Sequence, residues 1–356
     1  MKKHNYSAGP CILPQEVFEK AAQAVLNFKD SGLSILEISH RSADFVSVME
    51  EARALALELL GLEGKGYQAL FLQGGASLEF LRIPQNLMHE NGKAAYLDTG
   101  TWANGAIKEA RAFGETIVVA SSNDANYTFI PKDYSIPSDA NYFHCTSNNT
   151  IFGTQMKSFP KTSIPVVCDM SSDIFSRSLD FSKFDLIYAG AQKNMGPAGT
   201  TLVVIKEELL GKTSRNIPNI LNYQQHIAKE SMYNTPPVFA VYTSLLTLQW
   251  LKAKGGIAAI EKENETKAAL LYAEIDRNPL FKGAANKEDR SSMNATFLLV
   301  DENHKEAFDK IWKALGVTGI NGHRSVGGYR ASMYNALPLE SVQVLVNAMQ
   351  ELEKNI

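Results

Sequence analysis

Along most of the chain, apolar runs of strand length alternate with stretches in which apolar residues return every three or four positions. The runs Tyr67 to Leu72, Ala94 to Asp98, Glu115 to Ala120, Asn141 to Cys145, Pro165 to Asp169, Leu186 to Ala189 and Thr200 to Ile205 end near turn residues and predict strands. Helical spacing marks Glu16 to Asn27, Met49 to Leu60 and Trp102 to Phe113, with Gly61 and Gly114 where helix C-termini favour glycine. This alternation predicts an α/β domain. Its sheet is expected to be mostly parallel and covered on both faces, with ligands outside the C-terminal strand ends.

From Pro236 a long helical pattern runs through Val238, Val241, Tyr242, Leu245, Leu248 and Leu251 and stops at Gly255-Gly256. That stop predicts a large domain over residues 1–250 and a smaller α+β domain over residues 251–356. The second part reads as a helix from Ile257 to about Asp276, a strand at Asn294 to Val300, a helix at Lys305 to Leu315, a strand at Tyr329 to Met333 and a helix after Pro338.

Composition narrows the class. Hydrophobic residues make up 45% and charged residues 21%, which excludes a disordered chain. A net charge of −3 offers no footprint for nucleic acid or an anionic membrane. No run approaches the ~18 consecutive apolar residues of a transmembrane helix. The opening Met-Lys-Lys-His-Asn-Tyr lacks an apolar signal core, so a cytoplasmic location is expected. Three cysteines, Cys11, Cys145 and Cys168, are too few and too scattered for a disulfide framework or a paired-cysteine zinc site. The histidines show no metal-ligand spacing, so no metal is expected.

Candidate chemistry gathers at predicted strand ends. The turn Gln73-Gly74-Gly75-Ala76-Ser77 follows an apolar run and precedes a helix that Pro84 should kink or shorten. Such a turn makes an anion site from free amides and the helix dipole, although many connections use glycine only to turn. Asp169 ends one strand and Lys193 follows another, within Ala-Gly-Ala-Gln-Lys-Asn-Met-Gly-Pro-Ala-Gly. A lysine so placed could form an imine with an aldehyde cofactor, and the acid could keep a pyridine nitrogen protonated. Taken singly, each is better explained as a helix-capping Asp or a solvated Lys. Trp102 could lie over a flat ring, or be core. Thr150 and Asn234-Thr235 offer polar donors at turns, and Thr235 is a good N-cap before Pro236. Arginines recur beside His or Gly at His40-Arg41, His323-Arg324 and Gly328-Tyr329-Arg330, which suits a small anionic metabolite. No P-loop and no Gly-x-Ser-x-Gly elbow is present.

The segments Asn5-Tyr6-Ser7-Ala8-Gly9-Pro10, Ser39-His40-Arg41, Gly74-Gly75-Ala76-Ser77, Asp98-Thr99-Gly100-Thr101-Trp102, Tyr188-Ala189-Gly190-Ala191-Gln192-Lys193-Asn194, Asn234-Thr235-Pro236-Pro237 and Gly322-His323-Arg324-Ser325-Val326-Gly327-Gly328 together resemble the phosphoserine aminotransferase family, within the class V pyridoxal-phosphate-dependent aminotransferases. The resemblance spans nearly the whole chain. It implies the type I pyridoxal-phosphate transferase fold, with a mostly parallel seven-stranded sheet, a smaller C-terminal α+β domain and a homodimer. It implies Lys193 as the lysine that holds pyridoxal 5'-phosphate, Asp169 on the pyridine nitrogen and Trp102 stacked on the ring, with Ala76, Ser77, Thr150 and Gln192 around the cofactor. Asn234 and Thr235 would reach the partner's cofactor phosphate. Arg41 and Arg330 would grip the anionic ends of the substrate, with His40, and with His323 and Arg324 of the neighbouring subunit. The implied reaction exchanges an amino group between glutamate and 3-phosphohydroxypyruvate, giving phosphoserine and 2-oxoglutarate; a phosphorylated hydroxythreonine of vitamin B6 synthesis is left open. Ser77 stands where some members have Arg, Glu79 where Gln is often seen, and Tyr6 for Phe. A cysteine desulfurase on the same fold would need a mobile nucleophilic Cys, for which none of the three is well placed. A phosphometabolite-binding protein without catalysis is the rival from another class.

Overall fold

A computed structural model describes residues 3–356; Met1 and Lys2, which begin the polar opening, lie outside the described residues. In chain order the first elements are β1 (His4–Asn5), α1 (Gln15–Leu26), α2 (Ala43–Leu60), β2 (Tyr67–Leu72), α3 (Gly75–Leu87), β3 (Lys93–Asp98), α4 (Thr101–Ala110) and β4 (Glu115–Ser121). Next come β5 (Phe143–Thr146), the short pair β6 (Asn148–Asn149) and β7 (Thr154–Gln155), then β8 (Val166–Asp169), β9 (Leu186–Gly190) and β10 (Thr201–Lys206). The chain continues through α5 (Tyr223–Ala228), α6 (Val238–Ala253), α7 (Gly256–Arg277), β11 (Phe281–Gly283), β12 (Asn294–Leu299), α8 (Lys305–Ala314), β13 (Val317–Thr318), β14 (Tyr329–Ser332) and α9 (Leu339–Lys354).

Seven strands form one sheet in the order β2-β10-β9-β8-β5-β3-β4. Only β10 runs antiparallel to its neighbours. Alternation along each strand sends Phe71, Leu97, Cys145, Cys168, Ile187 and Val204 to one face, against α2 and α6. Leu70, Tyr96, Val167, Tyr188 and Val203 face the other, with α3 and α4. The mostly parallel seven-stranded sheet that the resemblance implies is the observed one. A second core lies among α7, α8, α9 and the sheet β11-β12-β14. The N-terminal segment joins this second core: β1 pairs with β13 through His4 and Val317, and Tyr6 is buried there.

Three local expectations differ from the structure. Gly61 ends α2 in the left-handed region at φ 64, as expected, but α4 stops at Ala110, so Gly114 caps nothing. Its missing Cβ matters for close approach, since a Cβ there would stand 2.4 Å from the Gly92 carbonyl oxygen. Thr235 is not the N-cap of α6, which begins at Val238 with Pro237 in the cap position. Pro237 disfavours a helical Pro236, so the helix cannot start where a Thr235 cap requires. α3 runs 13 residues through Pro84 and ends within a turn of it.

Candidate active site

Because β5, β8 and β9 are adjacent and parallel, their C-terminal ends deliver three side chains to one place. Asp169 is the last residue of β8, Lys193 follows β9, and Thr150 sits in the turn between β6 and β7, just past β5. Lys193 Nζ donates to Thr150 Oγ1 at 3.0 Å. Burial pulls the Lys193 ammonium below its ordinary pKa, Arg330 adds to that, and Asp169 opposes it. Asp169 is 5% exposed, and burial pushes its carboxyl above the usual range against the Ser171 hydrogen bonds and the Lys193 charge. Its Oδ1 accepts from Ser171 N at 2.9 Å.

Trp102 enters from the second position of α4, after β3. It is 39% exposed, unlike a core tryptophan, and its ring centroid lies 5.9 Å from Lys193 Nζ. Ala76 and Ser77 occupy the first turn of α3, behind Gly74 at φ 108. A Cβ on Gly74 would stand 2.3 Å from Leu78 Cδ2, so the turn requires glycine. Ser77 and Trp102 line one open cleft with Phe80, Lys108 and Tyr127. Gln192 precedes Lys193, and its amide packs so near Gly190 that a Cβ there would meet Oε1 at 2.7 Å.

Arg330 comes from β14, across from Lys193, and its buried Nε has no hydrogen-bond partner. Burial lowers its pKa. His323 is also held below its ordinary value, by burial first and then by Arg330 and Arg324. The loop bearing His323 and Arg324 folds back tightly; a Cβ on Gly322 would lie 1.9 Å from the Gly327 carbonyl oxygen.

Other residues expected at the site make their contacts elsewhere or none with Lys193. Asn234 Nδ2 donates to Gln73 Oε1 at 2.6 Å, and Gln73 Nε2 donates to the Thr235 carbonyl at 2.7 Å, on the exposed side of the glycine turn. His40 and exposed Arg41 precede α2. Among the described residues no hydrogen bond, ion pair or ring contact joins His40, Arg41, Asn234 or Thr235 to Lys193.

Sequence reasoning singled out Asn5 to Pro10 but gave this N-terminal side of the site no role. Cys11 donates its thiol to the Lys193 carbonyl at 2.7 Å, a structural contact rather than that of a mobile nucleophile. Burial pushes that thiol up to about 12, so it stays protonated. A Cβ on Gly9 would stand 3.3 Å from Lys193 Cγ, so the same segment walls the lysine stem. Tyr334 was also missed: its hydroxyl donates to the Ala8 carbonyl at 2.7 Å, and Arg330 and Thr150 both act on it. Its signal lay only in Tyr334-Asn335 following a predicted strand.

The Aminotransferase class-V family profile matches residues 4–345. The chain belongs to the class-V aminotransferase family. Within that class it is similar to a phosphoserine aminotransferase of Flavobacterium psychrophilum, 80% identical over 356 residues and covering 100% of both chains. A solved phosphoserine aminotransferase, described for radiation damage of its Schiff base, matches with TM-score 0.96 and 44% identity over 100% of both chains. A PLP-bound phosphoserine aminotransferase from Trichomonas vaginalis matches with TM-score 0.93 and 36% identity, over 98% of this chain and 100% of that one. Among the described residues no helix is long and apolar enough to cross a membrane, and no group of His, Cys, Asp and Glu could hold a metal ion.

Proposed function

We propose that this chain uses pyridoxal 5'-phosphate to move the amino group of L-glutamate onto 3-phosphohydroxypyruvate, giving O-phospho-L-serine and 2-oxoglutarate, as a homodimer in the cytoplasm. One observation carries the reading: Lys193 and Asp169, both strained by burial, meet beside the open Trp102 ring and the unpartnered Arg330.

These residues fit the cofactor. Asp169 is a buried carboxylate suited to a cationic ring nitrogen, Trp102 offers a flat face, and α3 presents free first-turn amides behind a glycine turn. Bound there, pyridoxal phosphate supplies a reactive aldehyde and an electron-withdrawing ring. Asp169 would keep that ring's nitrogen protonated. Lys193, with its ammonium destabilised, would be the amine that holds the cofactor aldehyde, and its Nζ is placed to serve as the base for the substrate Cα proton. Thr150 Oγ1 aims Lys193 Nζ. Ala76 and Ser77, in the first turn of α3, would hold the phosphate through backbone and hydroxyl, with Gln192 nearby.

Arg330, desolvated and unpaired at Nε, takes a substrate carboxylate bidentately. A substrate phosphate of about −1.5 to −2 charge needs further cations, which Arg41, His40, His323 and Arg324 provide. Half-buried Asn234 and exposed Thr235, held beside Gln73 without a contact to their own Lys193, support a reach to the partner's cofactor phosphate. The test is the visible spectrum of the cofactor-loaded protein titrated with O-phosphoserine, glutamate and alanine. Response to the first two but hardly to alanine is expected. Equal response to alanine would remove phosphate recognition, and no cofactor band would overturn the reading altogether.

A further inference from the structure

Lys267 lies on α7, 1% exposed, and its ammonium donates to the carbonyls of Met333 at 3.2 Å, Tyr334 at 2.9 Å and Leu337 at 3.1 Å. These contacts satisfy all three of its N–H groups. The nearest acid on the same helix, Glu263, is taken at 2.6 Å by Lys254. Burial draws the Lys267 pKa down to about 7, with the Lys254 charge adding to that and Glu263 opposing it. A cation here is therefore costly unless its shell is built for it. Three carbonyl acceptors call for the three N–H donors of the charged form, whereas a methionine would fill the space more cheaply.

The gripped carbonyls belong to the chain leaving β14, the strand of Arg330. One turn earlier on α7, Asn264 Nδ2 donates to Asn335 Oδ1 at 2.9 Å and to the Ser176 carbonyl at 3.0 Å. Asn335 N in turn donates to Oδ1 of Asn194, the residue after Lys193, at 3.0 Å. Tyr334 reaches Ala8, on the segment that walls the Lys193 stem. A cavity of about 400 Å³, bordered by Lys254, Glu263, Thr266, Pro338 and Glu340, opens on the outer side of Lys267.

We propose that the carbonyls of Met333, Tyr334 and Leu337 form a monovalent-cation cradle whose resident cation is the Lys267 ammonium, and that Lys267 thereby positions Arg330, Tyr334 and the Lys193 loop. This rests on the reading of Lys193 and Arg330 given above. Cut back to alanine, the cradle should accept ammonium or potassium from the outer cavity.

The test compares cofactor-loaded parent, Lys267→Ala, Lys267→Gln and, as a control on the same cavity wall, Lys254→Met. Each is assayed with phosphoserine and melted in ammonium, potassium and choline chloride at equal ionic strength. Lys267→Ala should raise KM for phosphoserine and lower kcat/KM about 10- to 100-fold. Ammonium should recover both KM and melting temperature in Lys267→Ala and change neither in the parent or Lys254→Met. Unchanged kinetic constants with a lowered melting temperature would reduce Lys267 to a structural residue and overturn the proposal. So would a folded, impaired Lys267→Ala that ammonium and potassium leave unrescued. If Lys267→Ala does not fold, Lys267→Gln, with two donors and no charge, decides: a raised KM sustains the role, and parental constants refute it. A parent that shows its cofactor band yet ignores phosphoserine would instead sink the substrate assignment, and the salt dependence of melting would still judge the cradle.

Discussion

The side-chain amine of Lys193 hangs on the hydroxyl of Thr150, 3.0 Å away, at the tip of a hairpin whose strands have two residues each. The hairpin is itself anchored, since Asn148 Nδ2 donates to Ser172 Oγ and Asn294 Oδ1 at 2.8 and 2.7 Å. A rigid turn therefore sets where the amine points. Thr150→Val keeps the shape and removes the acceptor. One hydrogen bond of about 1 kcal/mol should cost kcat/KM about five- to tenfold, with the fold and cofactor band retained. Steady-state kinetics with phosphoserine check this, and an unaltered kcat/KM would mean that the hydroxyl does not orient Lys193.

Asp169 carries a stability cost for its role. Its folded pKa is raised by burial, so above the unfolded value of a carboxyl the native state gives up its proton less readily and loses stability as pH rises. Asp169→Asn removes the buried charge. It should melt higher than the parent at pH 7 in the absence of cofactor while losing about a hundredfold or more in turnover. Scanning calorimetry and a transamination assay check the two halves separately.

What the sequence made legible here was whatever burial writes locally. The strands bearing Asp169 and preceding Lys193 are unbroken apolar runs, buried on both faces, so their ends could be found from pattern alone. Cys11 and Gly9 could not be. They reach Lys193 because β1, two residues long, pairs with β13 more than three hundred residues away, and a pair that short leaves no periodicity. The hairpin under Thr150 escaped for the same reason. Arg330 was legible as an arginine near glycines, but its unpaired Nε is a property of the packed interior.

Glu79 shows the same limit. Read in line it replaces a Gln, yet it is fully buried on α3, ion-paired to Arg82 and hydrogen-bonded by the Tyr223 hydroxyl, 144 residues away. Glu79→Gln would strand the Arg82 charge, which is 3% exposed. Breaking a buried pair in this way costs about 3–5 kcal/mol. Chemical denaturation should therefore show a clear loss for Glu79→Gln, and recovery of most of it in Glu79→Gln with Arg82→Met.

A pH dependence of the fold on the acid side should come from His144. It sits on strand β5, its side chain buried, its Nε2 bonded to the Tyr188 hydroxyl at 2.8 Å and its Nδ1 without a partner. Burial holds its pKa down to about 3, against 6.5 for a free imidazole. Between those values the unfolded chain binds a proton that the native state refuses, so stability is full above pH 6.5 and declines as the solution is acidified toward pH 3. The slope is about 1.4 kcal/mol per pH unit for this group alone. Chemical denaturation of the parent and of His144→Gln across pH 4 to about 6 measures it. The variant should start less stable and lose stability less steeply, by about one proton's worth; parallel slopes would mean that His144 is already charged inside the fold.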